Sequence, residues 1–154
     1  MLVPSAEESF RRGLIAWSED RKREAMAFFE AAIELERKLG ESSPQARYLS
    51  YYGLCLGLVR RQWHEAVRFC REAASREQFD PDLRWNLARV LLGAGRRGKA
   101  HEALRKGLRL QSDHPGIRRE LRRMGFRRRP VVGFLPRHNA INVYLGRLRR
   151  KRSA

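Results

Sequence analysis

Residues 80–104 read Asp80-Pro-Asp-Leu-Arg-Trp-Asn-Leu-Ala-Arg-Val-Leu-Leu-Gly-Ala-Gly-Arg-Arg-Gly-Lys-Ala-His-Glu-Ala-Leu104. Asp80 before Pro81 places a capping side chain ahead of a proline at the first helical position, where the missing N–H has no intrahelical partner to lose. Gly93-Ala-Gly95 interrupts the helical pattern, and a second helix carries Ala100 and, four residues on, Leu104. The small Ala88 on the first helix allows a close antiparallel approach, and Leu104 fills the space beside it.

The arrangement recurs on the N-terminal side. Gly13 is followed by Ala25, Phe29 and Ala32, and Gly53 by Ala66, Cys70 and Ala73; the third set ends on Gly107. The marker alanines are spaced by 41 and 34 residues, the longer interval containing the loop Gly40-Glu-Ser-Ser-Pro44. One such hairpin cannot bury its apolar face alone, so the pattern predicts stacked neighbours. Ser5 with Glu8 reads as a capping box, Ser43-Pro44 and the looser Asp113/Pro115 as further helix starts, and Gly40 and Gly125 as stops. The predicted helices are 6–18, 22–39, 44–60, 63–77, 81–94, 97–111 and 115–124. Sustained period-two alternation is absent, so no sheet is expected.

These residues resemble the tetratricopeptide repeat, whose motif runs Trp, Leu-Gly, Tyr, then Ala, Phe and Pro. Arg84, Leu87-Ala88, Leu91, Ala100 and Leu104 follow it closely. Leu49, Tyr52-Gly53, Leu56, Ala66 and Cys70 follow it with a turn one residue longer, and Ser9, Arg12-Gly13, Ala16, Ala25 and Phe29 are the most divergent copy. The resemblance implies an all-α solenoid of three helix pairs plus a capping helix over residues 1–125, followed by a basic, partly apolar extension over 126–154. It also implies a non-catalytic scaffold or adaptor that holds a peptide or helix of another protein in a groove lined by the first helix of each pair. Carried over position by position, that groove comprises Phe10, Leu14 and Trp17, then Arg47, Ser50 and Leu54, then Trp85, Asn86, Arg89 and Leu92. Aromatic and Arg side chains dominate binding energy at such surfaces, although indoles on amphipathic helices also serve as packing residues. Trp63, at the start of a second helix, reads as structural. Leu14 and Leu54 do not suit the Lys/Asn/Arg grip that some members use on an acidic C-terminus, and that grip is not expected.

Composition narrows the function classes. In 154 residues, Lys and Arg number 34 against 17 acids, for a formal net charge of +17. The excess is concentrated: from Pro115 onward there are 13 basic residues and one acid, Glu120. Within the extension Arg127, Arg128, Arg129, Arg147, Arg149 and Arg150 are candidate contacts to phosphates or an acidic surface, and nucleic acid is the chief rival partner to protein. Phe134, Leu135 and Tyr144 are too apolar for a solvated tail and point to docking on protein, this chain's own or another's; Asn139 is placed to cap a short helix. The longest apolar stretch, Gly53–Val59, is far short of a bilayer span. With no signal-peptide pattern and only Cys55 and Cys70, a cytoplasmic protein is expected. His64, His101, His114 and His138 lie apart and no phosphate loop follows a strand, so neither an enzyme nor a bound cofactor or metal is expected.

Overall fold

The computed structural model describes residues 5–40, 43–125, 139–141 and 144. Seven helices make up the first 125 positions: α1 (Ala6–Ser18), α2 (Lys22–Lys38), α3 (Ala46–Arg60), α4 (Trp63–Arg76), α5 (Pro81–Gly93), α6 (Arg97–Leu110) and α7 (Pro115–Met124). There is no strand among the described residues. The helices pair as α1/α2, α3/α4 and α5/α6, and the pairs stack in chain order through α2/α3 and α4/α5. The architecture is an all-α repeat solenoid. The chain divides into two compact units, Met1–Leu121 and Arg122–Ala154.

The repeated small residues do the work expected of them. Ala25, Ala66 and Ala100 are fully buried, as are Phe29, Cys70 and Leu104 four residues later. A Cβ at Gly13 would come within 2.5 Å of the Phe29 ring, so only the bare backbone admits that ring. Each hairpin turn carries one left-handed residue, Asp20, Arg61 or Gly95. The next N–H returns to the first helix: Arg21 N–H donates to Ala16 O, Gln62 N–H to Leu56 O and Arg96 N–H to Leu91 O. The middle turn is one residue longer than its neighbours, as read from the spacing.

Two helix starts differ from the sequence expectation. Ser5 does accept the Glu8 N–H at 3.1 Å, and Asp80 accepts the N–H groups of Asp82 and Leu83 at 2.8 and 3.3 Å. Ser43 does not cap α3, which starts two residues later. Instead the buried Glu36 carboxylate, arriving from the end of α2, accepts the Gln45 N–H at 2.7 Å. At α7 the cap is His114 rather than Asp113: its Nδ1 accepts the Ile117 N–H at 3.1 Å. Its Nε2 then donates to Asp82 Oδ1 at 2.9 Å, which ties α7 to the start of α5. Both caps are long-range devices that local sequence signals do not register.

Trp63 is structural. As the first residue of α4 it lies against Gly57 of α3 and Gly93 of α5, and a Cβ at either glycine would collide with the indole. No helix of the described residues is long and apolar enough to cross a membrane. In the second unit, Ala140, Ile141 and Tyr144 are helical, and Asn139 Oδ1 accepts the Ile141 N–H at 3.0 Å, as a cap should. Ile141 and Tyr144 are exposed. Arg127, Arg128, Arg129, Phe134, Leu135, Arg147, Arg149 and Arg150 lie outside the described residues.

Candidate functional site on the first-helix face

The residues expected to line a groove come from α1, α3 and α5, and the structure sorts them into two groups. Phe10, Ser50, Leu54 and Asn86 are buried, each 4% exposed or less. This corrects the reading of them as contact residues: no surface remains for a partner to touch. Phe10 anchors an aromatic cluster with ring centroids 5.5 Å from Phe29, 4.8 Å from Tyr48 and 5.5 Å from Tyr51. Asn86 Nδ2 donates to Ser50 Oγ at 3.2 Å, a polar pair sealed between α3 and α5. Burying two polar side chains is tolerable only because they satisfy each other.

Trp17, Arg47, Trp85 and Arg89 form the second group and keep partial exposure. Arg47 lies 5.2 Å over both the Phe10 and Tyr48 rings. It also has a full set of acceptors: Glu7 Oε2 at 2.5 Å and Gln45 Oε1 at 2.8 Å. Tyr48 donates its hydroxyl to the same Glu7 oxygen at 2.9 Å. Burial works against the Glu7 anion, but the Tyr48 hydrogen bond and the charges of Arg47 and Arg11 prevail, and its pKa falls below the ordinary value. Burial, reinforced by Glu7, pushes the Tyr48 phenol up to about 12.

Arg89 is arranged differently. Its guanidinium lies 5.1 Å over the Trp85 ring, one helical turn back on α5, and 5.4 Å over the Trp17 ring on α1. One cation thus joins the first and third repeats above the middle one, where Leu54 and Cys55 are buried. Among the described residues no acceptor hydrogen-bonds it. Glu120 of α7 attracts it through space, yet burial is the larger effect and lowers the Arg89 pKa. Trp85 is itself fixed from behind: a Cβ at Gly116 would come within 2.5 Å of the indole, and His114 meets its face at 5.4 Å. Tyr51 and the two thiols complete the floor. Burial raises Tyr51 and Cys55 to about 12 each and Cys70 further still; Cys70 Sγ donates to Ser50 O at 3.3 Å. These cysteines are free and protonated at neutral pH, too buried to react as thiolates.

Sequence reasoning found Trp17, Trp85 and Arg89 but not that they meet, and it missed Tyr48, Tyr51 and Glu7. The available signal was Tyr48 and Tyr51 three residues apart on α3, spaced to share a face with Phe10. Among the described residues no group of three potential metal ligands gathers.

This arrangement, three hairpins with interlocking small residues and a capping helix, defines a helical-repeat protein. Residues 9–39 match the family model for the tetratricopeptide repeat. Among solved structures, the tetratricopeptide repeat domain of Arabidopsis OM64 superposes with a TM-score of 0.62 at 17% identity, covering 78% of this chain and 93% of that one. YrrB, described as a tetratricopeptide repeat protein with an unusual peptide-binding site, gives 0.59 at 18% identity, over 77% and 57% of the two chains. PcrH, solved in complex with the chaperone-binding region of PopB, gives 0.56 at 18% identity, over 78% and 91%. At these identities the likeness is one of fold. No curated protein matches the sequence. The chain is a tetratricopeptide repeat protein.

Proposed function

We propose that this protein is a non-catalytic scaffold whose first-helix face holds a peptide or helix of another protein. The carrying observation is the Trp17–Arg89–Trp85 group, large partly exposed side chains of the types that anchor interfaces, held rigidly by Gly116 and His114. Peptide or partner-segment binding by YrrB and PcrH supports this use of the fold. The half-buried Leu14 and Leu92 extend the apolar surface on α1 and α5. The reading places the protein in the cytoplasm, where two unpaired buried thiols are at home.

Site-specific photo-cross-linking tests it. A benzophenone side chain at position 14 or 92 is expected to capture one contiguous stretch of a partner, and Trp17→Ala to reduce the yield. The same probe at positions 68 and 99, exposed on second helices, is the control. Capture confined to those control positions would move the interface off the first helices.

A second reading has its own observation. On α6 and the start of α7, Lys99, Arg105, Lys106, Arg109, Arg118 and Arg119 are all exposed. In this reading that surface and the Arg-rich extension neutralise phosphates of nucleic acid. Such binding would weaken steeply as salt rises, whereas an interface anchored on Trp17 and Trp85 would persist.

A further inference from the structure

Stacking uses the two faces of a guanidinium and leaves its donors free, because all five N–H bonds lie in the plane of the group. Arg89 therefore presents an edge of donors between two indoles. Among the described residues nothing accepts from that edge. Arg47 shows what the same chemistry looks like when complete: it has two rings and, in plane, the carboxylate of Glu7. The rings around Arg89 also displace water, which strengthens any charge-assisted hydrogen bond made there.

We propose that the slot between Trp17 and Trp85 receives a side-chain carboxylate, an Asp or Glu of the partner protein, held in plane on the edge of Arg89. The inference rests on the first-helix face being the docking surface and names the chemistry it selects. Three observations point to this occupant. The slot holds donors and a positive charge, so an acceptor bearing negative charge completes it. The chain carries +17 overall, which favours an acidic visitor. Residues 126–154 contain no Asp or Glu, so the basic extension has no side-chain carboxylate to offer Arg89. The partner segment accordingly combines one acidic residue with apolar neighbours that cover the indoles.

The test is NMR of the full chain, labelled at arginine Nε and tryptophan Nε1, titrated with sodium acetate, sodium chloride and sodium phosphate at matched ionic strength. Acetate is expected to shift the Arg89 Nε–H and the Trp17 and Trp85 indole signals along one saturating curve. Chloride should produce no saturation. Arg47, already occupied by Glu7, should stay still. Arg89→Gln should abolish the indole response, and Arg89→Lys, which keeps the charge but loses the planar fork, should weaken it about tenfold, a loss of about 1.4 kcal/mol. Equal responses to acetate and chloride, or an Arg47 response matching that of Arg89, would overturn the proposal. Tighter saturation by phosphate than by acetate would also overturn it, in favour of a phosphoryl ligand. The docking-face reading is judged separately by the cross-links. Acetate failure with cross-links at positions 14 and 92 removes only the carboxylate slot, whereas saturation by acetate with cross-links confined to second helices removes the docking face and leaves the slot.

Discussion

Arg47 and Arg89 occupy comparable places on neighbouring first helices, and each guanidinium lies about five ångströms over two aromatic rings. One is locked into the protein by Glu7, Tyr48 and Gln45; the other is framed by indoles and left without an in-plane acceptor among the described residues. The difference separates two uses of the same pair of residue types. Around Arg47 the aromatic rings are those of the core, and the cation is a seal over them. Around Arg89 the rings stay partly exposed and the cation is presented rather than sealed. Substitutions at the two ends should therefore fail in different ways.

The largest difference is expected in the rings themselves. Phe29 is fully buried, lies against Gly13, and its centroid is 5.5 Å from Phe10 and 5.4 Å from Tyr51. Phe29→Ala leaves a cavity that the interlocked hairpins cannot close and should lower stability by about 4 kcal/mol in urea unfolding. Trp17→Ala removes a half-exposed ring and should lower it by about 1 kcal/mol, with its main effect on partner capture. Equal losses would mean that Trp17 belongs to the core and that the distinction between the two ends is false.

Next in size is the backing of the exposed pair. Gly116→Val inserts a branched side chain where the Trp85 indole rests, so either α7 or the indole must move. Overpacking of this kind should cost about 2 kcal/mol. It should also disturb the Arg89 signals while leaving those of Arg47 unchanged, because the two arginines share no ring.

The repeat architecture was legible because it rests on local arithmetic. Small residues at fixed intervals, Asp80-Pro81, and an extra residue in the middle turn each have one structural consequence, and the helices fall within two residues of their expected bounds. The site was legible only in part. Helical spacing from a shared motif gives the face of a residue but not its depth. That depth depends on which neighbouring helix covers it, and so Phe10, Ser50, Leu54 and Asn86 were read as surface and prove to be interior. The Ser50–Asn86 hydrogen bond, the Glu36 cap and the His114 cap join residues 36, 9 and 3 positions apart. The first two depend on how helices stack, and the third has a histidine where capping statistics favour Asp or Ser. Trp17 meeting Arg89 across a whole repeat lay beyond any local signal.

A smaller effect separates the two cations. Arg89→Gln removes a charge that burial disfavours and orphans no bonded acid among the described residues, so stability should change by less than about 1 kcal/mol in either direction. Arg47→Gln should be consistently destabilising, because Glu7 loses its partner.

The smallest prediction concerns Glu7 and carries a pH signature. Burial pushes its pKa up, but Tyr48, Arg47 and Arg11 together hold the folded value below the ordinary 4.5. A carboxyl group depressed on folding releases its proton more readily in the native state, so the unfolded chain binds more protons and stability rises with pH across that window. The contribution is complete above the unfolded value and disappears as pH falls through the folded one. Because Glu7 and Arg47 are more than a third exposed, solvent screening limits it to about 0.5 kcal/mol. Glu7→Gln should therefore unfold slightly more easily at pH 7 and become indistinguishable from the parent in acid. A gap of the same size at both ends of the pH range would show that the side chain acts through packing alone. The seal over Arg47 would then owe nothing to charge, and its contrast with Arg89 would have to rest on burial.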